Sequence, residues 1–137
     1  IFDTNINYVG IDIVEDLIIE NKLKFKSNLN VNFYCKDLSE YKNFDNFDFI
    51  LMRDFFIHLP IPIIKKILIN LKNSNCRYFA FNNNEDVNTN KEISTGQHRK
   101  INLLKEPFNL GIPFYRIQEI NNEHKPDQDN FIYIYKN

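Results

Sequence analysis

The chain has 137 residues, of which 43% are hydrophobic and 26% are charged, and its formal net charge is −1. This composition is typical of a globular protein and excludes long disorder, while the near-zero charge excludes a general attraction to nucleic acid or anionic membrane. The longest apolar runs are well short of the roughly 20 residues that cross a bilayer, so no membrane association is expected.

The length and the cysteines bear on domain organisation and cellular compartment. A chain of this length can bury a core of its own, so a single domain over residues 1–137 is expected. Cys35 and Cys76 lie far apart and belong to no CxxC or Cys/His cluster, so no metal site is predicted. Both lie in or beside apolar stretches, which predicts reduced core thiols in a cytoplasmic protein.

The first third of the chain predicts a strand, a helix and a second strand. Residues 8–14 are dense in β-branched side chains and predict a buried strand that stops at Asp12. Residues 15–26 have acids in their first turn and predict a helix. The run 31–35 predicts a second strand, which ends at Lys36-Asp37.

The middle and the end of the chain predict four more strands and one helix. The helix begins near Pro60 and Pro62 and runs to about Lys72, since proline suits the first helical turn. The strands are at 47–52, 77–81, 114–120 and 131–135. The last two have no helical pattern between them and are expected to pair as an antiparallel hairpin.

A long polar segment, 82–110, separates the fourth strand from the hairpin. A loop of this length in a compact domain is more typical of a lid or binding loop than of filler. It opens on the run 82–84 of three asparagines. Because asparagine is abundant in the whole sequence, this run is only weak evidence for a polar function, and codon bias within a loop is the competing interpretation.

Three predicted strands end on acids, at Asp12, Asp37 and Asp54. Ligands of open α/β sheets bind outside the carboxyl ends of the strands, so these acids predict one crevice, where a carboxylate can accept hydrogen bonds from ribose hydroxyls. Gly10 is expected to let neighbouring backbone approach closely. The competing interpretation of each acid, taken singly, is a helix cap or turn residue.

Four segments in order resemble class I S-adenosylmethionine-dependent methyltransferases. They are Tyr8-Val-Gly-Ile-Asp12-Ile-Val, Phe33-Tyr-Cys-Lys-Asp37-Leu, Phe47-Asp-Phe-Ile-Leu-Met-Arg53-Asp54 with His58-Leu-Pro60 beyond it, and the terminal hairpin. The resemblance implies an α/β, Rossmann-like, mostly parallel sheet with helices on both faces and a C-terminal antiparallel hairpin. It also implies that the family's first strand and Gly-x-Gly-x-Gly turn belong before Tyr8, so that the central strand of the sheet is missing from these residues.

The same resemblance assigns the adenosine half of an S-adenosylmethionine site. Asp12 corresponds to the acid that binds the ribose, and Ile13 would pack on the adenine face. Asp37 corresponds to the acid that accepts a hydrogen bond from the adenine amino group. Leu38 would donate its backbone N–H to the adenine ring.

Five positions are predicted to serve the reaction itself. By the resemblance, Arg53 lies near the methionine part of the cofactor. Asp54 and His58 are candidate general bases, because a carboxylate or an imidazole can take a proton at working pH. His98 and Arg99, in the long loop, are the candidate substrate residues.

The predicted function is methyl transfer from S-adenosylmethionine to an unidentified acceptor, for which a small molecule is expected. An inactive methyltransferase-like module that binds a nucleotide or a partner protein is the first alternative. A nicotinamide-dependent reductase is the second, although the terminal hairpin argues against it.

Overall fold

A computed structural model of the chain describes residues 5–42, 44–120 and 126–137. The chain divides into two compact units, Ile1–Tyr41 and Lys42–Asn137. Each unit has its own sheet, and the two are described in turn. The single domain predicted from the sequence stays a prediction.

The first unit is a parallel strand pair with one helix. Strand β1 (Tyr8–Asp12), helix α1 (Glu15–Lys24) and strand β2 (Val31–Cys35) follow in chain order. β1 and β2 pair in parallel from Tyr8 opposite Val31 to Asp12 opposite Cys35. Both strands therefore end at the same edge, which brings the acids that follow them close together.

Gly10 makes room for an aromatic ring at the centre of this unit. A Cβ at Gly10 would lie 2.5 Å from Cδ1 of Phe33, its partner across the strand pair. The Phe33 ring also lies 5.9 Å from the Tyr8 ring and 5.6 Å from the Phe25 ring, centroid to centroid. The sequence predicted close approach of backbone at Gly10, whereas the group that approaches is a side chain.

The second unit has a four-stranded sheet. Its elements are β3 (Phe49–Met52), a short 3-10 helix (Phe56–His58), α2 (Ile61–Lys72), β4 (Tyr78–Asn84), β5 (Tyr115–Ile120) and β6 (Pro126–Lys136). The strand order is β3-β4-β6-β5. β3 and β4 are parallel, and β6 is antiparallel to both β4 and β5.

The predicted terminal hairpin is confirmed, since β5 and β6 pair as antiparallel neighbours. The prediction of one mostly parallel sheet is met only in part. Among the described residues the strands form a two-stranded and a four-stranded sheet, and β6 reverses the direction of the larger one. Placement of helices on both faces stays a prediction.

The core of the second unit is built from an amphipathic helix and from aromatic strands. Ile64, Ile67 and Leu71 of α2 are fully buried, at the spacing of one helical face. Phe81 of β4 is also fully buried, and its ring lies 4.8 Å from that of Phe56. Within the described ranges, no helix combines the length and apolar character needed to span a membrane.

The two cysteines differ, and the prediction of two core thiols was wrong for one of them. Cys76 is fully buried, its Sγ lies 3.1 Å from the carbonyl oxygen of Tyr78, and burial raises the pKa of its thiol. Cys35 is exposed, because it is the last residue of β2, beyond the contacts that bury Phe33.

Candidate functional site

The carboxyl ends of β1 and β2 present two neighbouring carboxylates. The N–H of Lys36 donates to the carbonyl of Asp12 at 2.9 Å, which holds the chain beside Asp37 against the end of β1. Oδ1 of Asp12 accepts from the N–H of Val14 at 2.9 Å, and Oδ1 of Asp37 accepts from the N–H of Ser39 at 2.8 Å. Each aspartate thus closes a local turn with one oxygen, and its other oxygen has no hydrogen bond to a described residue.

Two further groups lie beside these carboxylates. The side chain of Ile13 is 66% exposed directly after Asp12. The backbone N–H of Leu38, directly after Asp37, makes no hydrogen bond within the described part of the chain. This edge therefore offers two acceptor oxygens, one donor and an apolar surface.

The carboxyl end of β3 carries an ion-paired cluster. Nε of Arg53 donates to Oε1 of Glu119 at 2.9 Å, and its Nη1 lies 2.9 Å from Oδ2 of Asp54. The hydrogen bond to Glu119, followed by the charges of Glu119 and Asp54, raises the pKa of Arg53. Arg53 and Asp54, predicted separately, are in direct contact.

Asp54 has a backbone conformation that few residues other than glycine adopt. Its φ is 53°, in the left-handed region. Its N–H donates to Oδ1 of Asn82, a residue that is 4% exposed. Nδ2 of Asn82 donates in turn to Oε2 of Glu119 at 2.9 Å. A non-glycine residue stays in the left-handed region only where surrounding groups stabilise it, and the hydrogen bond from Asp54 to Asn82 provides such stabilisation.

Sequence reasoning missed Asn82 and Glu119. Asn82 directly follows the predicted fourth strand, so the rule that selected Asp54 applies to it equally. Its place in an asparagine-rich run obscured that signal. Glu119 lies near the end of a β5 whose pairing with β6 could not be aligned from sequence, so no local pattern identified it.

His58 and His98, predicted from different segments, lie together. Their ring centroids are 5.5 Å apart. Nδ1 of His58 donates to the carbonyl of Gln97 at 3.1 Å. Because a carbonyl only accepts, Nδ1 carries the proton, and Nε2 of a neutral His58 is left with the lone pair that a general base needs. Both rings are exposed.

Arg99 is 9% exposed, and its guanidinium is engaged by backbone carbonyls. It donates to Lys91 at 3.0 Å, to Phe56 at 2.8 Å and to Leu59 at 2.9 Å. Burial lowers its pKa, and the charge of Glu92 opposes that effect. Arg99 thus fastens the long loop to the 3-10 helix, and its predicted contact with substrate stays a prediction.

The asparagine run was wrongly interpreted as loop. All three asparagines lie in β4 and are buried. Oδ1 of Asn83 accepts from the N–H of Leu103 at 2.6 Å, and Oδ1 of Asn84 accepts from the N–H of Ile101 at 3.2 Å. These side chains accept from buried backbone N–H groups of the returning loop, and the N–H of Asn84 donates in return to the carbonyl of Ile101 at 2.8 Å.

A cleft of about 700 Å³ opens between the end of the loop and the sheet of the second unit. Its lining includes Glu85, Lys105, Phe114, Arg116 and Tyr133. Inside it the guanidinium of Arg116 lies 2.8 Å from the carboxylate of Glu85, which also accepts from the Tyr133 hydroxyl.

The cleft does not include either predicted substrate residue, since neither His98 nor Arg99 is part of its lining. In the part of the chain that the structure describes, no group of three or more His, Cys, Asp or Glu could hold a metal ion.

Comparison with known proteins adds likeness in structure but not in sequence. No family model and no curated protein matches the sequence. A S-adenosylmethionine-dependent methyltransferase from Clostridium acetobutylicum is similar over 95% of this chain and 74% of its own, with 16% identity and a TM-score of 0.64. TehB from Haemophilus influenzae is similar over 93% of this chain, with 18% identity and a TM-score of 0.57.

The N-methyltransferase NodS from Bradyrhizobium japonicum is similar over 94% of this chain and 72% of its own, with 10% identity and a TM-score of 0.58. The present chain spans about half the length of the TehB chain, or 49%. At these identities the likeness concerns the fold. The chain has the fold of the class I S-adenosylmethionine-dependent methyltransferases.

Proposed function

We propose that the chain belongs to an enzyme that transfers a methyl group from S-adenosylmethionine to a small molecule. The observation that carries this proposal is the pair of carboxylates of Asp12 and Asp37 at the ends of adjacent parallel strands. In each of them Oδ1 accepts a hydrogen bond from the local backbone. Their second oxygens, which accept no hydrogen bond from a described residue, suit ribose hydroxyls and an adenine amino group, both of which donate hydrogen bonds.

The groups beside these carboxylates complete the fit to an adenosine. The exposed side chain of Ile13 offers the apolar surface that an adenine face needs. The N–H of Leu38 is available to a ring nitrogen. The groups proposed to bind the adenosine half of the cofactor therefore belong to four residues of one unit.

Arg53, Asp54 and His58 are assigned to the reacting half of the cofactor and to the acceptor. The side chain of Arg53 is 58% exposed, and its guanidinium matches the charge of the methionine carboxylate. S-adenosylmethionine supplies a methyl group already activated on a sulfonium, so alignment by the protein provides much of the rate. Where the acceptor must lose a proton, Nε2 of His58 or the carboxylate of Asp54 removes it.

The acceptor is assigned to the class of small molecules because of the cleft beside β5. This cleft of about 700 Å³ is wide open to solvent, so it offers a surface on which part of a small acceptor could rest. The aromatic ring of Phe114 and the charge of Lys105 suit an acceptor with both apolar and anionic parts, while Arg116 is already paired with Glu85.

Calorimetric titration of the full-length protein with S-adenosylmethionine, and separately with NAD, tests the cofactor. We expect binding of the former alone. The Asp12→Ala variant should bind it more weakly by about 1–3 kcal/mol, because charged hydrogen bonds are lost. Asp16→Ala, which removes an exposed acid four residues further along, is the matched control and should bind normally.

Two results would contradict the proposal. If the folded protein has no affinity for S-adenosylmethionine, this compound is not its cofactor. If it prefers NAD, the alternative of a nicotinamide-dependent reductase is favoured. Equal losses in Asp12→Ala and Asp16→Ala would show a general charge effect and remove Asp12 from the site.

A further inference from the structure

A second layer of residues stands behind Arg53 and Asp54. We name it the Glu119 cluster, which comprises Arg53, Asp54, Asn82, Glu119 and Asn130. At its centre the side chain of Glu119 is only 14% exposed. Oε1 of Glu119 accepts from Arg53, and Oε2 accepts from the side-chain amides of Asn82 and Asn130.

Three donors on one largely buried carboxylate define what Glu119 can do. Both of its oxygens accept hydrogen bonds from side chains of the protein, one from Arg53 and one from two asparagine amides. Its chemistry is therefore that of an anchor for neighbouring groups.

Glu119 fixes the orientation of Arg53. The carboxylate engages Nε, and Asp54 engages Nη1 from a different direction. Nη2 of Arg53 has no hydrogen bond to any described residue. The side chain of Arg53 is 58% exposed. Without Glu119 it would sample many rotamers, and its guanidinium would no longer present its N–H groups in a fixed orientation.

Glu119 also fixes the orientation of the Asn82 amide. Since Nδ2 of Asn82 donates to the carboxylate, Oδ1 must point away from it, and there it accepts from the N–H of Asp54. That hydrogen bond holds Asp54 at a φ of 53°. One carboxylate thus orients Arg53 directly and Asp54 through Asn82.

We propose that Glu119 is a positioning residue of the methyl-transfer site, acting through Arg53 and through Asn82 on Asp54. This inference rests on the proposed function, because it takes Arg53 as a contact of the cofactor. Preorganised charge contributes more to binding and catalysis than the same charge on a mobile side chain.

A double-mutant cycle tests whether Glu119 acts through Arg53. Affinity for S-adenosylmethionine is measured by calorimetry in the full-length protein for the wild type, Glu119→Gln, Arg53→Ala and the double variant. We expect Glu119→Gln to weaken binding about tenfold. In the Arg53→Ala background the same change should alter affinity by less than about twofold, because the group it positions is gone.

Matched variants separate positioning from charge and from folding. Asp86→Asn removes an exposed acid of the same unit that pairs with Lys100, and it should bind as the wild type does. Arg53→Lys keeps the charge but cannot bridge Glu119 and Asp54, so it should lose affinity as Glu119→Gln does. This second variant keeps the test decisive if Glu119→Gln fails to fold.

A readout without cofactor distinguishes failure of this inference from failure of the proposed function. In ¹H–¹⁵N NMR spectra, Arg53 Nε–H should give a protected signal that Arg53→Lys removes and that Glu119→Gln shifts or broadens. If the wild type does not bind S-adenosylmethionine, the proposed function fails while this signal still tests the positioning. Wild-type affinity in Glu119→Gln, an undiminished effect in the Arg53→Ala background, or an unchanged Arg53 signal would overturn the inference.

Discussion

The carboxyl end of the β1–β2 pair and that of the β3–β4 pair both bear acids, but the two ends hold them differently. Among the described residues, the side chains of Asp12 and Asp37 accept hydrogen bonds only from N–H groups two residues away. Asp54 is joined to Arg53 and, through the Asn82 amide, to Glu119 on a distant strand. The carboxylates of the first end, which we call the open end, can still accept hydrogen bonds from a ligand. The side chains of the second end, which we call the bonded end, are already oriented by hydrogen bonds and an ion pair within the protein.

This difference has a physical rationale in what each end is proposed to bind. Ribose and adenine carry their own donors, so an acid with a vacant oxygen suffices. A reacting centre needs its charges held in position, and the hydrogen bonds that hold them must come from the rest of the fold. We therefore expect substitutions at the bonded end and along the loop that follows β4 to lower stability. Substitutions at the open end should instead weaken binding of the cofactor.

The largest loss of stability is expected for Arg99→Ala, which removes three hydrogen bonds between the loop and neighbouring backbone. The free energy of unfolding should fall by about 3–4 kcal/mol, because the donors are charged and buried. Urea unfolding followed by circular dichroism measures it. Lys65→Ala, at an exposed position of α2, should change it by less than about 0.5 kcal/mol. A stable Arg99→Ala that loses only substrate binding would instead support the substrate role.

Asn83→Ala is expected to cost about 2 kcal/mol of unfolding free energy, because it leaves the buried N–H of Leu103 without an acceptor. The same urea experiment measures this loss. Asn88→Ala, at an exposed position of the loop, is the control and should be neutral. Equal stability of the two variants would mean that the buried asparagines do not anchor the loop.

High pH should weaken the fold through Tyr133, which is 2% exposed. Burial, with the carboxylate of Glu85, raises the pKa of Tyr133 to about 12. Because the unfolded chain gives up this proton near pH 10, stability from Tyr133 is complete below pH 10 and is lost as the pH rises towards 12. Unfolding at pH 9 and pH 11 should differ by about 1 kcal/mol from this residue. In Tyr133→Phe the difference in unfolding free energy between the two pH values should be smaller. If it is unchanged, Tyr133 is not the source of the pH dependence.

The smallest effect on stability is expected at the open end. Asp12→Ala and Asp37→Ala each remove one exposed or half-exposed local turn bond, so the free energy of unfolding should change by less than about 0.5 kcal/mol. Thermal and urea unfolding without ligand measure this. A loss of 2 kcal/mol or more, on the scale of buried hydrogen bonds, would show that these acids support the fold and would abolish the contrast between the two ends.

Local patterns in the sequence predicted the elements well where side chains repeat at a regular period. The spacing of Ile64, Ile67 and Leu71 and the prolines before them identified α2, which runs over Ile61–Lys72. The β-branched run before Asp12 identified β1. The same carboxyl-end rule then selected Asp12 and Asp37, because residues next to a strand end need no long-range information to be located.

Local patterns failed where a distant segment supplies the hydrogen bonds. The prediction ended the fourth strand at residue 81, but β4 continues to Asn84, since β6 pairs with its backbone and the loop pairs with its amides. It likewise began the last strand at residue 131, but β6 begins at Pro126. Asparagine disfavours strands locally, and here tertiary hydrogen bonds outweigh that preference.

The sequence alone indicated the kind of fold and located Asp12 and Asp37 at strand ends, because strand ends and helix faces are encoded within a few residues. Only the tertiary structure decided the partners of Arg53, Asp54 and His58. Glu119 is hydrogen-bonded to Arg53 and Asn82, which are 66 and 37 residues away in sequence. The ring of His58 lies beside that of His98, which belongs to the long loop. Such contacts depend on strand order and register, which the packing of the whole sheet sets.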